Sequence, residues 1–134
     1  MTCFEIYEMA LPLIAREKTY ENGLPVYAEQ PDYSDAIPKL INALSLEVLE
    51  LAKIYASVSD RESGFAQTKV TLVTDLFPLP ERFVPAAVYY IAEKLSVRNS
   101  PDTAKMLHTL FQNEIDNIRR ELPAVIGKVA DFYE

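Results

Sequence analysis

The amino-acid sequence predicts a mainly α fold, a small helical bundle of four to five helices with one short extended or β segment. Apolar residues recur at three- and four-residue steps along most of the chain, which is the period of an amphipathic helix. Proline, glycine and short polar runs separate these periodic stretches. A chain of 134 residues with 49% hydrophobic content can bury one core, so we expect a single helical domain over residues 1–134.

The first predicted helix covers residues 2–17. Thr2 and Glu5 have the spacing of a capping box, in which each side chain accepts the other residue's backbone N–H. Pro12 lacks a backbone donor and is expected to kink or split this helix.

Residues 18–33 are predicted to form a loop, because Asn22-Gly23, Pro25 and Pro31 interrupt any regular pattern. Its three tyrosines are expected to pack the loop onto the core, as large amphipathic rings commonly do. They are Tyr20, Tyr27 and Tyr33.

The pattern over residues 34–58 predicts a long central helix with Pro38 in its first turn, where a missing N–H is tolerated. One apolar stripe includes Leu44 and Leu51, which we expect to be buried. Further apolar residues lie off that stripe, and two apolar faces indicate a helix that is central or part of an interface. They are Leu46, Leu49 and Ile54.

Residues 59–80 differ in character from the rest. Residues 68–74 are β-branched and alternate, which predicts a strand or extended arm. Such a strand needs a partner, either the loop at 18–33 or a second chain. We therefore expect residues 59–80 to be mobile in an isolated subunit and fixed in an assembly. The candidate subunit-interface residues are Phe65, Val70, Leu72, Phe77 and Leu79.

Two further helices are predicted over residues 81–98 and 100–121. Ser100 caps the second of these, and Pro101 suits its first position. Pro123 is expected to end or bend it, which leaves 124–133 as a last short helix. The basic pair Arg119-Arg120 would then lie near a helix C-terminus and compensate its dipole.

Charge and segment lengths exclude several classes of protein. The net charge of −7 argues against general nucleic-acid binding. No apolar run approaches the roughly 20 residues that cross a bilayer, and the N-terminus has no basic region of a secretory signal. A single cysteine cannot form an internal disulfide. These features predict a reduced intracellular protein that is neither secreted nor membrane-bound.

The residues that carry chemistry are sparse. His108 is the sole histidine, and the Glu-x-x-His spacing of di-iron bundles is absent around it. Cys3 lies in the first turn of a predicted helix, where a thiol pKa can fall, so a Cys3–His108 dyad is an alternative to two structural roles. The pairs Glu5/Glu8 and Glu47/Glu50 are best read as solvated helix surface. We predict that the chain is not an enzyme and needs no cofactor or metal.

The order of the elements is similar to that of a known family. The residues that carry this resemblance are Glu5-Ile6-x-x-Met9-Ala10-Leu11, Ala36-Ile37-x-x-Leu40-Ile41-Asn42, Thr74-Asp75-Leu76-Phe77-Pro78-Leu79-Pro80, Ala86-Ala87-Val88-Tyr89-Tyr90-Ile91-Ala92 and Ile115-x-x-Ile118-Arg119. In these stretches the chain resembles the small head–tail connector, or portal adaptor, proteins of tailed bacteriophages and prophages.

The resemblance implies a structural protein that assembles as a ring homo-oligomer below the portal, a dodecamer being one form of such a ring. Its partners would be portal and tail proteins, with DNA passing through an acidic channel, in the virion or in the host bacterial cytoplasm during assembly. Two alternatives stay open. One is a small cytoplasmic helical protein-interaction module without a phage role, and the other is an enzyme subunit whose site forms only between chains.

Overall fold

The computed structural model describes the backbone of residues 1–59 and 68–130 and the side chains of residues 1–56 and 68–122. Within these ranges the fold is mainly α with one short β element, as predicted. The helices are α1 (Cys3–Ala10), α2 (Ile37–Glu47), α3 (Leu49–Ser59), α4 (Val84–Ser96) and α5 (Pro101–Ala130), and the strands are β1 (Lys18–Glu21) and β2 (Leu24–Tyr27).

Helix α1 begins with the predicted capping box. The Glu5 N–H donates to Thr2 Oγ1 at 3.2 Å, and the Thr2 N–H donates to Glu5 Oε1 at 3.2 Å. Pro12 acts as expected, because the α-helix gives way to a 3₁₀-helix over Leu11–Leu13 and the chain is extended at Ile14. The predicted helix over 2–17 is therefore shorter than the pattern suggested.

The predicted helix over 34–58 is interrupted. A 3₁₀ turn at Ser34–Ala36 leads into α2, and Val48, with φ −105° and ψ 12°, separates α2 from α3. The backbone bonds still bridge this position, since the Val48 N–H donates to Leu44 O at 3.0 Å. Leu44 is fully buried and Leu51 is 9% exposed, which confirms their predicted placement in the core.

The prediction that the helix over 34–58 is central was wrong, because α4 is the central element of the bundle and packs against α1, α2 and α5. Alanines on its buried face allow these neighbours to approach closely. Its buried residues are Val84, Ala86, Ala87, Val88, Tyr90, Ile91, Ala92, Glu93 and Ser96.

The prediction of two helices over 100–121 and 124–133 was wrong, because a single helix, α5, runs unbroken through Pro123 to Ala130. Proline removes one helical hydrogen bond but has the φ of a helix, so the backbone can continue past it. Its start is as predicted, with the Thr103 N–H donating to Ser100 Oγ at 3.2 Å.

Part of the predicted loop at 18–33 is instead a β-hairpin. Strands β1 and β2 pair in antiparallel fashion around Asn22 and Gly23, whose φ angles are 51° and 77°. Positive φ at both turn residues is the conformation that an Asn-Gly hairpin turn favours. Every residue of both strands is exposed, so the expected packing of Tyr20 and Tyr27 onto the core was wrong. Tyr33 does pack against the core.

Residues 68–79 form no strand, contrary to the prediction for 68–74. We call them the docked segment. The Asn42 side chain takes the place of a strand partner, since its Nδ2 donates to Val70 O and its Oδ1 accepts the Val70 N–H, both at 2.8 Å. The Asp75 carboxylate accepts the N–H groups of Thr71 at 3.0 Å and Leu72 at 2.9 Å.

The docked segment is also tied to the start of the chain. The Cys3 N–H donates to Asp75 O and the Phe77 N–H donates to Met1 O, each at 2.9 Å, around an isolated bridge between Thr2 and Leu76. The N–H groups of Val70, Thr71, Leu72, Asp75 and Phe77 thus all have partners within the chain. The expectation that it waits for a second chain was wrong for Val70 and its neighbours.

Candidate functional site

Cys3 does not have the environment of an activated nucleophile. Its side chain is fully buried, with Sγ 3.9 Å from Leu76 O. Burial, together with the nearby charge of Asp75, raises the pKa of the Cys3 thiol to about 11. This outweighs the helix N-terminus that the sequence suggested would lower the pKa, so the thiol stays protonated near neutral pH.

His108 has a different partner. Its Nδ1 contacts Oε1 of Glu93, whose side chain is only 7% exposed on the α4–α5 interface. The Glu93 carboxylate also forms an ion pair with Lys94, whose Nζ lies 3.0 Å from Glu93 Oε2. His108 and Cys3 are therefore engaged with separate groups, and this geometry supports two structural roles better than a dyad.

Glu93 was missed by the sequence analysis, although a signal was available. It is a carboxylate in a helix whose other residues are mostly apolar on all sides, and such a helix is typically buried. The hydrogen bond between the Glu93 carboxylate and Lys94 raises the pKa of Lys94. Burial raises the pKa of the neighbouring Tyr90. The cluster fastens α4 to α5 at the bundle edge.

The paired glutamates lie where the sequence suggested. Glu5 serves the α1 cap and Glu8 is exposed, while Glu47 and Glu50 border a cleft of about 140 Å³ against α5. Among the described side chains of residues 1–56 and 68–122, no three of His, Cys, Asp or Glu lie close enough together to hold a metal ion.

The reading of Arg119-Arg120 as dipole compensation was wrong, because α5 continues well past both residues. Arg119 Nη1 instead lies 3.4 Å from Asp116 Oδ1, one turn earlier on the same helix. Both side chains are at least half exposed, so this pair contributes little to stability.

Two of the candidate interface residues, Phe77 and Leu79, line one surface cleft. A cleft of about 170 Å³, which we call the N-terminal cleft, is lined by Met1, Phe77, Leu79, Glu81 and Val84. Leu79 and Val84 form its buried floor, and Phe77 is half-buried. Two of the five predicted interface residues thus lie in one depression.

The other three predicted interface residues are placed differently. Val70 is 2% exposed and belongs to the chain's own core. Leu72 is 61% exposed, and Phe65 lies outside the described residues. An interface role for all five stays a prediction, with Leu72 and Phe77 the most accessible of those described.

Exposed apolar side chains lie among, or close in sequence to, the residues that line the N-terminal cleft. Leu76, which precedes Phe77, is 72% exposed, Met1 is 50% exposed, and Phe4, in the first turn of α1, is 41% exposed. Isolated surface leucines are ordinary, whereas exposed apolar residues near a concave apolar floor are typical of a protein-binding surface.

The hairpin presents a second apolar surface. Directly opposed residues of an antiparallel pair project to the same side, so the register Lys18↔Tyr27 and Tyr20↔Pro25 defines one face. We call these four residues the aromatic face. Lys18 Nζ lies 5.1 Å from the Tyr20 ring centroid and 5.8 Å from that of Tyr27, and both tyrosines are more than half exposed.

Comparison with known proteins adds no relative to this picture. No family model, curated protein or solved structure matches the chain. None of the helices in residues 1–59 and 68–130 has the length and hydropathy of a membrane span.

The two apolar surfaces lie at opposite ends of α4. The chain entering the hairpin is fixed near the end of α4, where the Ala15 N–H donates to Ser96 Oγ at 2.9 Å and Asn99 Nδ2 donates to Ala15 O at 3.1 Å. Val84, the first residue of α4, lines the N-terminal cleft. A groove of about 510 Å³ at the hairpin base has a mainly charged and polar lining that includes Glu17, Glu29 and Arg98.

Proposed function

We propose that this chain is a structural subunit of a tailed phage or prophage, a head–tail connector that forms a ring below the portal and contributes to the DNA conduit. The observation that carries the proposal is the hairpin. Its eight strand residues are all exposed, and they include Tyr20, Leu24 and Tyr27, each more than half exposed.

A two-stranded hairpin in water is marginally stable and gains little from projecting apolar groups into solvent. Exposed strand edges also invite pairing with other chains, and proteins normally blunt or cover them. A hairpin that carries apolar residues on both faces is therefore suited to being covered by another protein molecule. This favours an assembling subunit over a protein that works alone.

The net negative charge of the chain supports the proposed role in a DNA conduit. A basic lumen would hold DNA by releasing condensed counterions, whereas an acidic ring lets the polymer slide. The chain carries a net charge of −7, and residues 1–60 account for −6 of it by formal count. A connector built from such subunits would retain DNA only by enclosing it.

The proposal is tested by measuring the mass of the purified chain in solution from dilute to concentrated samples, followed by electron microscopy of the largest species. We expect closed rings with a central channel and no retention of duplex DNA at physiological salt. A chain that stays monomeric at every concentration, or that stops at a closed dimer, would contradict the ring.

The phage assignment has its own test. The genes flanking the coding sequence should encode a portal and capsid proteins, and the purified chain should bind that portal protein. A ring-forming chain whose neighbours are ordinary cellular genes would instead favour the interaction module without a phage role.

A further inference from the structure

We propose that the aromatic face of the hairpin docks into the N-terminal cleft of a second copy of this chain, in a head-to-tail contact. This inference rests on the proposed function, since it names the contact by which the subunits would assemble. In this contact the hairpin of one copy and the cleft of its neighbour cover each other.

The hairpin does not fill the cleft of its own chain. All residues of β1 and β2 are exposed. Ala15, which precedes the hairpin, is hydrogen-bonded to Ser96 at the end of α4, whereas Val84 at the start of α4 lines the cleft. Helix α4 has 13 residues and is therefore roughly 18 Å long from first to last Cα, so the hairpin is anchored at the far end of α4 from the cleft.

The two surfaces are chemically complementary. The aromatic face offers two tyrosine rings with an ammonium group between them, from Lys18. The N-terminal cleft offers an apolar floor at Leu79 and Val84 and the exposed carboxylate of Glu81 at its rim. Insertion would bring Tyr20 and Tyr27 against the floor and Lys18 towards Glu81.

The area of this contact favours a ring. Two tyrosines bury roughly 300–500 Å² between them, whereas a stable pair of proteins buries about 800 Å² on each partner. One contact is therefore weak on its own. A head-to-tail contact leaves one free hairpin and one free cleft on every open chain of subunits, and a ring uses both on every copy.

The test uses two surface variants. Tyr20→Asp should disable the hairpin and leave the cleft intact. Leu76→Asp places a charge beside Phe77, which lines the cleft, so it should disable docking at the cleft and leave the hairpin intact. Their native side chains are 67% and 72% exposed, so both variants should fold as the wild type does, which circular dichroism can verify. We expect each variant alone to remain monomeric where the wild type assembles.

Mixing the two variants gives the decisive result. The intact hairpin of Leu76→Asp can enter the intact cleft of Tyr20→Asp once, so we expect a 1:1 complex with the mass of two chains and nothing larger. Thr19→Asp, on the opposite hairpin face, and Leu46→Asp, an exposed leucine of α2, are the matched controls and should assemble as the wild type does.

Charge exchange provides a second measurement. Lys18→Glu and Glu81→Lys should each weaken assembly, and the doubly substituted chain should recover it. Recovery would support the predicted contact between these two residues, and its absence would contradict it.

The remaining outcomes overturn the proposal in distinguishable ways. If the wild type assembles and both single variants assemble equally well, the docking is wrong and the proposed function stands. If Leu76→Asp assembles alone but Tyr20→Asp does not, hairpins pair with each other instead. If the wild type never assembles, the docking and the proposed function fail together.

Discussion

The hairpin and the docked segment are both extended, and each satisfies its backbone by a different route. The hairpin at residues 18–27 pairs with itself, in a register fixed by its own Asn-Gly turn. The docked segment at 68–79 bonds to groups from elsewhere, chiefly the Asn42 side chain and the backbone of Met1 and Cys3.

The hairpin is held together only by local contacts, whereas the docked segment is stabilised by tertiary contacts with the core. A hairpin whose side chains are all exposed can open without disturbing the core. The docked segment buries Val70 and Leu79 in that core and covers Cys3, so it cannot be released without exposing apolar surface. The hairpin is thus available for another molecule, whereas the docked segment belongs to the bundle.

The largest effect should come from removing the side chain that replaces a strand partner. Asn42→Ala leaves the Val70 N–H and C=O without their partners in a partly buried place, which should lower the free energy of unfolding by about 3 kcal/mol. Chemical denaturation measures this. Asn113→Ala removes an exposed asparagine of α5 and should change it by less than about 0.5 kcal/mol. Equal effects of the two substitutions would show that the amide pairing is unimportant.

The thiol of Cys3 reports whether the docked segment has opened. Because the buried thiol has a pKa of about 11, the native protein should resist alkylation at neutral pH. Asn42→Ala should accelerate labelling by up to roughly 100-fold, which corresponds to the loss of about 3 kcal/mol. Labelling at an unchanged rate in that variant would mean that the segment opens independently of Asn42.

The sequence was a good guide wherever periodicity decided the structure. The α1 capping box and the burial of Leu44 and Leu51 follow from spacing, and the split at Pro12 follows from the missing proline N–H. The β-branched run at 68–74 misled because its strand propensity depends on a partner strand, and Asn42, distant in sequence, supplies both bonds instead. The Asn-Gly turn carried a local hairpin signal that was treated only as an interruption.

A backbone change in the hairpin should have a smaller and local effect. Gly23 has φ +77°, where a side chain is strained although nothing lies within 4 Å of its Cβ position. Gly23→Ala should weaken the hairpin by about 1 kcal/mol, which faster amide exchange in β1 and β2 would reveal. Global unfolding and Cys3 labelling should stay at wild-type values. A loss of global stability as large as that of Asn42→Ala would mean that the hairpin is part of the bundle.

The smallest effect concerns acid pH. The N–H groups of Leu72 and Thr71 donate to the Asp75 carboxylate and lower its pKa below the usual value. The turn is therefore favoured above that usual pKa and weakens as the pH falls through the lowered one. Amide chemical shifts of Thr71 and Leu72 should titrate there in the wild type but not in Asp75→Asn. Shifts that are the same in both proteins would exclude this carboxylate as the cause.

The candidate surfaces were only partly visible in the sequence. Phe77 and Leu79 were identified as interface residues and do line one cleft, because the proline-pinned stretch around them is extended and apolar. Met1 and Val84 were not identified, since they reach this cleft only through tertiary contacts, such as the bond from the Phe77 N–H to Met1 O. The pairing of Glu93 with His108 likewise joins two helices, so it could not be predicted from the sequence of either helix alone.

Amide hydrogen exchange on dilute monomer and on concentrated assembly tests the central claim most directly. We expect Val70 and Leu72 to be protected in both samples, because their N–H groups are bonded within the chain, and the exposed strands β1 and β2 to become protected only in the assembly. The opposite pattern, with hairpin amides unchanged and the docked segment protected only on assembly, would contradict the account.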